Sequence, residues 1–187
     1  MRFVQYLVIS GGTGQDALCS SILQEVLRGA VDGGAETQVL SLEGIERCRG
    51  CSDDRSVCKT ENRCAFGDDG FDNAQKLILQ ADALCVITPV YLGAMADHLR
   101  GYLDRLRRCE RGLIEPLADK QILAILSPKD DVGYLSCLEQ LDKFCRHTGA
   151  VIFDFIGLHR WNSDYQKVSA YSAARSMAFG RKAGMQK

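Results

Sequence analysis

Five short apolar runs punctuate the chain, at residues 3–9, 37–42, 83–88, 121–126 and 150–156. Most are continuous stretches of Val, Ile and Leu, the pattern of strands covered on both faces of a sheet. The run at 37–42 alternates apolar with polar positions, which suits an edge strand. Between the runs the period changes to that of a helix. Cys19, Ile22, Leu23, Val26 and Leu27 share one face, and so do Phe71, Ala74, Leu77, Ile78 and Ala81. Met95, His98, Leu99, Tyr102, Leu103 and Leu106 form a third stripe, and Leu138, Leu141, Phe144 and Cys145 a fourth. Asp69 is placed to cap the second helix. A weaker stripe, Tyr171, Ala174, Arg175 and Ala178, predicts a C-terminal helix, with a frayed tail from Gly180 onward.

Strands alternating with helices predict an α/β fold with a doubly wound parallel sheet and right-handed crossovers. Five strands predict the order 2-1-3-4-5. Ligands of such sheets bind beyond the carboxyl ends of the strands, where the winding reverses between the first and third. The loops at 10–16 and 89–95 leave those two strands.

At 187 residues the chain reads as a single domain, 1–187, with a cysteine-rich insertion at about 45–68. A hydrophobic content of 46% and a charged content of 25% are those of an ordinary globular protein. The formal net charge of −1 offers no basic field for nucleic acid or an anionic membrane. The N-terminal apolar run is too short for a membrane span and lacks a small-residue cleavage site, so it reads as a strand. Nine cysteines without an export signal imply a reducing cytoplasm, where closely spaced thiols serve metal or redox chemistry more often than disulfides.

The first loop, Ser10-Gly11-Gly12-Thr13-Gly14-Gln15-Asp16, joins a strand to a helix. Its glycines let the main chain turn N–H groups toward an anion, and the helix dipole favours one there. The spacing is neither the dinucleotide fingerprint nor a nucleotide-triphosphate loop. A tight turn with no ligand is the alternative. The second loop, Pro89-Val90-Tyr91-Leu92-Gly93, offers an aromatic face and a close main-chain approach to a flat ligand; its alternative is a structural turn.

Four cysteines, Cys48, Cys51, Cys58 and Cys64, lie in one stretch with gaps of two, six and five residues. Thiolates hold [4Fe–4S] clusters at varied spacings. Structural zinc sites usually pair two Cys-x-x-Cys knuckles, and this stretch has one. Cluster, zinc and plain thiols all stay open. Cys19, Cys85, Cys137 and Cys145 fall on apolar faces and read as small core residues, whereas Cys109, among charges, reads as an exposed thiol. Arg100, Arg105, Arg107, Arg108 and Arg111 read as a solvated helix face, with a phosphate or acidic-partner site as the alternative. Trp161 and Tyr165 read as a dimer contact, a pocket wall or a satellite core. No serine-hydrolase motif and no zinc-enzyme histidine spacing occurs.

Asp68-Asp69-Gly70-Phe71, Ala81-Asp82-Ala83-Leu84, Thr88-Pro89-Val90-Tyr91 and Leu103-Asp104-Arg105, in that order, resemble the NADPH-dependent FMN reductase family, and the cysteine-rich stretch resembles its iron–sulfur flavoproteins. The resemblance runs from Phe3 to about Gly157. It implies a flavodoxin-like three-layer α/β/α sandwich, bound FMN, NAD(P)H as an electron donor, and small-molecule or protein acceptors. It also implies a homodimer or homotetramer. Ser10, Gly11, Gly12, Thr13, Gly14, Gln15 and Asp16 would surround the FMN phosphate. Pro89, Val90, Tyr91, Leu92 and Gly93 would edge the ring, and the loop from Ser127 through Asp131 would approach from the other side. Cys48, Cys51, Cys58 and Cys64 would be the metal ligands. The chain departs from the family pattern at Thr13, at Gln15-Asp16, and at Pro128-Lys129-Asp130-Asp131. The rival reading is a binding or regulatory module on the same fold, with weak or no flavin binding and a cysteine loop holding thiols or zinc.

Overall fold

The computed structural model describes residues 2–12, 16–51, 57–109, 115–129 and 133–185. The strands are β1 (Val4–Ser10), β2 (Ala35–Ser41), β3 (Ala83–Tyr91), β4 (Ala94–Met95), β5 (Gln121–Pro128) and β6 (Val151–Gly157). The helices are α1 (Ala17–Asp32), α2 (Phe71–Gln80), α3 (Asp97–Cys109), α4 (Tyr134–Thr148) and α5 (Ser163–Met185). The sheet order is β2-β1-β3-β5-β6, all parallel, with the two-residue β4 antiparallel to the end of β3. Omitting β4, this is the 2-1-3-4-5 order that the apolar runs predict.

Helices cover both sheet faces, each over its own core. On one face Phe71, Ile78, Leu99, Leu106 and Leu141 from α2, α3 and α4 pack on Leu7, Leu84 and Leu126. On the other, Ile22 and Val26 of α1 and Ala170, Ala174 and Met177 of α5 pack on Val8, Cys85 and Ile125. β3 and β5 are buried almost throughout, which explains their continuous apolar sequence. β2, at one edge, keeps its alternation. The other edge, β6, carries a register shift opposite Ile122 and Leu123 and leaves Val151, Phe153 and Phe155 exposed.

Three details differ from the sequence-based expectation. β3 runs on to Tyr91 and turns back as β4 through Leu92 and Gly93, both at positive φ, as a two-residue hairpin turn demands. The N-cap of α2 is Gly70 at positive φ, although the Asp69 carboxylate still accepts from the Phe71 amide at 3.2 Å. The C-terminal helix is no frayed tail: it starts at Ser163 and continues through Gly180 to Met185. The helix persists because α5 buries Ala170, Ala174, Met177 and Ala178 against the sheet, and packing outweighs its two late glycines.

Helices α1 and α5 approach so closely that a Cβ at Gly29 would stand 2.2 Å from the Tyr171 carbonyl oxygen. Backbone cannot yield as a side-chain tip can. Gly29→Ala is therefore expected to lower stability by roughly 1–3 kcal/mol, seen in urea unfolding as an earlier midpoint at unchanged m-value. An unchanged midpoint would show that the helices are not this close.

Candidate functional site

The carboxyl ends of β1, β3 and β5 meet at the winding reversal. The Gly11 amide donates to Ile87 O at 2.8 Å, and the Lys129 amide donates to Val90 O at 3.1 Å. The first loop thus locks to β3 just before the second loop, and the third loop locks to the second. Gly11 has no room for a side chain, since a Cβ would lie 3.0 Å from Leu99 Cβ and 3.1 Å from Thr88 Oγ1. Thr88 Oγ1 accepts from the Ala96 amide at 3.1 Å and donates to Pro89 O at 2.8 Å, fixing the start of the second loop.

Asp16, which the resemblance places around the FMN phosphate, is the N-cap of α1. Its Oδ1 accepts from the amides of Leu18 and Cys19, and its Oδ2 accepts from Lys129 Nζ at 2.6 Å. Burial alone would raise its pKa, but Lys129 and the Cys19 amide outweigh that and hold the carboxyl below its ordinary value. Lys129 thereby bridges the first and third loops. Thr13, Gly14 and Gln15, like Asp130 and Asp131, lie outside the described residues.

Pro89 and Val90 are buried, while Tyr91 and Leu92 project outward, Leu92 at 94% exposure. Gln140 donates to Gly93 O at 3.1 Å, and a Cβ on Gly133 would stand 2.8 Å from Gly93 Cα. The second loop is therefore braced against the start of α4. Ser127 lies beside Pro89 in the sheet register and is buried. Its Oγ has no well-aligned hydrogen-bond partner among the described residues, although the Cys19 thiol is near enough to feel it.

The cysteine-rich stretch folds against α3 around one cation. Arg105, read from sequence as part of a solvated face, is 2% exposed. Its Nη1 donates to Asp69 Oδ2 at 2.6 Å and Glu46 O at 2.9 Å. Its Nη2 donates to Phe66 O and Asp69 Oδ1, its Nε to Cys64 Sγ at 3.3 Å, and its plane lies 4.2 Å from the Phe71 ring centroid. All three guanidinium nitrogens are engaged, which is what lets the charge be buried. The spacing held a clue: Arg105 lies three residues after Tyr102 and four before Cys109, both on the inner face. Arg100, Arg107 and Arg108 do face solvent, paired with Asp97 and Asp104.

Cys58 and Cys64 pack on the same core as Cys109, and the Arg108 pKa is raised chiefly by Asp104, with Cys48 and Cys58 adding a smaller pull. Among the described residues, no three His, Cys, Asp or Glu side chains gather as a metal ion requires. Cys109 is buried, not exposed, because the apolar face of α3 continues to its last residue, and burial pushes its thiol well up. Cys19, Cys85, Cys137 and Cys145 are buried as the sequence indicates. Trp161 and Tyr165 are exposed, at 77% and 62%, and so form no satellite core.

A family model described as NADPH-dependent FMN reductase matches residues 4–158, which takes in all three loops and the cysteine-rich stretch. The chain belongs to this family. It is 31% identical over 101 residues to an iron–sulfur flavoprotein of Methanocaldococcus jannaschii, a match covering 53% of this chain and 50% of that protein. The chain thus spans about half the length of the curated relative it matches. Among solved structures it superposes on a flavone reductase with a TM-score of 0.68 at 19% identity, covering 96% of this chain and 63% of that one. A flavodoxin from the domain Archaea gives 0.63 at 12% identity, covering 96% and 99%. These two likenesses establish the flavodoxin-like fold of the family member.

Removing Arg105 leaves Asp69 half-satisfied and two carbonyls bare. Arg105→Ala is expected to cost about 3–5 kcal/mol, as for other buried pairs broken on one side, read by chemical denaturation. The pH dependence carries a second signature. Burial would raise the Asp69 pKa, but Arg105 and the amides of Glu46 and Phe71 hold it below the ordinary value. A depressed folded-state pKa stabilises above the unfolded-state value of about 3.9 and stops doing so as pH falls through the folded value. Unfolding free energy should therefore drop below about pH 4, and less steeply in Arg105→Ala. Equal acid slopes would show that the pair is not formed.

Proposed function

We propose that the chain is an FMN-dependent oxidoreductase that takes reducing equivalents from NAD(P)H and passes them to a small-molecule or protein acceptor. The observation that carries this reading is the junction of three strand ends at the winding reversal, with the buried Ser127 hydroxyl left over there. A hydroxyl without a partner in a dry site is costly unless a ligand completes it.

The ring side fits a flat heterocycle. Pro89 to Gly93 would supply main-chain groups along its edge, and Ser127 would donate or accept. Gly12, with Ser10, would present backbone toward the phosphate, the Gly11 amide being already given to Ile87 O. Lys129 would supply the positive charge, while Asp16, occupying the first amides of α1, opposes it. When bound, the flavin supplies the redox chemistry; the chain binds it, orients it and shields one face from water. No acid–base residue is required of the protein.

A [4Fe–4S] cluster on Cys48, Cys51, Cys58 and Cys64 is the finer form of this reading. It would bring the four thiolates onto one cluster, and no electron step is assigned to it. Stoichiometric iron and sulfide after anaerobic reconstitution would support it, and their absence would overturn it. A homodimer or homotetramer is supported by the exposed stripe Trp161, Tyr165 and Val168. No helix among the described residues is long and apolar enough to cross a membrane.

The central test is spectroscopic. Protein purified with added FMN should be yellow, gain thermal stability, and bleach anaerobically with NADPH. Colourless protein with no thermal shift would overturn the assignment and favour a flavin-free binding module. Two variants probe the phosphate end. Asp16→Asn keeps a good cap and removes the opposing charge, so it should tighten FMN roughly two- to fivefold, the range for a charge at a helix terminus. Lys129→Ala should weaken it by a similar factor.

A further inference from the structure

At the opposite edge of the sheet, under the amino ends of β3, β5 and β6, lies a cavity of about 830 Å³. It is well within the size range of small-molecule sites. Its roof is the last part of α5. There Ser176, Gly180 and Gly184 recur every fourth residue, so the only large α5 side chains among the described lining residues are Met177 and Arg181. A glycine inside a helix usually marks a close approach of another segment. Here nothing lies within 4 Å of where a Cβ would sit on either Gly180 or Gly184. The glycines create space that the chain itself does not fill.

The floor and walls are amphipathic. Val151 and Phe153 of the edge strand, both exposed, line the cavity with Met177. Phe153 sits at the register shift in β6, which skips from Ile122–Ile152 to Leu123–Asp154. The charged groups are Asp82, Asp119, Lys120 and Arg181, with Arg2 just beyond. Most are already engaged. Asp82 accepts from Arg2 and from the Gln5 amide. Lys120 donates to Leu79 O and Ala81 O, which uses two of its three protons. The Asp119 side chain is exposed, and its carbonyl takes a bond from Arg181 Nη2. One donor is left over: Arg181 Nε is buried and has no partner among the described residues. Burial lowers the Lys120 pKa, and the nearby positive charges of Arg181 and Arg2 lower it further against the pull of Asp82. Another anion here would relieve all three cations.

We propose that this cavity binds an amphipathic carboxylate, its head on Arg181 Nε and the third Lys120 proton and its apolar body between Phe153, Val151 and the glycine face of α5. The site is remote from the strand ends proposed for FMN, and it stands whether or not that reading holds. A buried guanidinium N–H wants a charged acceptor, since a neutral one recovers less of its lost hydration. The apolar walls in turn reject a bare inorganic anion.

Calorimetric titration of the full chain, in its FMN-loaded form where it takes up flavin, tests the site with decanoate as the probe. Decanol and acetate serve as controls for body and head alone. Decanoate should bind saturably, with decanol and acetate each at least tenfold weaker. Arg181→Gln should weaken decanoate at least tenfold. Gly180→Leu fills the cavity from a position with open space around it, so it should fold normally and abolish binding. Flavin uptake should be unchanged in both variants. The proposal fails if decanol binds as well as decanoate, or if either variant binds decanoate like the parent chain. It fails equally if no heat is seen while sedimentation shows Gly180→Leu splitting an oligomer, since a second copy would then fill the groove.

Discussion

A buried guanidinium must have nearly all its N–H groups satisfied, and that requirement organises the least regular part of this protein. Arg105 sits on the inner face of α3, where solvent cannot reach it. Its donors can be met only by segments that come to it. The chain around Glu46, Cys64, Phe66 and Asp69 does so, although it has little regular structure of its own. Asp69 then accepts from the Glu46 and Phe71 amides, so the same carboxylate that neutralises the cation also sets the entry to α2. The described parts of the excursion between β2 and α2 are held both by polar convergence on this one side chain and by Leu42, Ile45, Cys58 and Cys64 packing on the core. Gly101 reflects the same closeness: a Cβ there would come within 2.9 Å of Arg47 Cβ.

The two ends of the sheet are built by different rules. At the carboxyl ends, short hydrogen bonds between loops and the Lys129–Asp16 pair fix neighbouring turns to one another, and glycines appear where backbones nearly touch. At the amino ends, Gly180 and Gly184 of α5 have nothing within 4 Å of a Cβ, while Gly149, just before β6, would put one 2.6 Å from Glu115 Cβ. Glycine therefore carries opposite meanings within one molecule, closeness at some positions and vacancy at others, and only the three-dimensional neighbours distinguish them.

Much of this was legible in the order of residues. The continuous Val, Ile and Leu runs of β3 and β5 could only be strands buried on both faces, and the alternation of 37–42 marked an edge. Position in the winding then followed from element order alone. The Ser10–Asp16 and Pro89–Gly93 loops were located because a parallel sheet places its ligand loops at a known point. Arg105 was not legible as a buried group, because an arginine on a helix among other arginines reads as solvent-facing until its partners are seen. The role of Asp16 was half-legible: it stands where the first loop opens a helix, which its capping of α1 uses, but its tie to Lys129 depends on a loop more than a hundred residues away. The full length of α5 was hidden by Gly180 and Gly184, whose low helix propensity is overridden by the packing of Ala170, Ala174 and Ala178 on the sheet.

The distribution of thiols has a consequence for how the molecule can be watched. Cys19, Cys85, Cys109, Cys137 and Cys145 are buried, spread over both cores and over β3, α1, α3 and α4. Burial raises the pKa of each, with Cys137 at about 11 and Cys19 and Cys145 at about 12, so almost none is thiolate in the native state. An alkylating reagent can reach them only through local or global opening. The protein therefore carries five internal clocks, one or more in each layer, whose labelling rates read out which helix lifts from the sheet first.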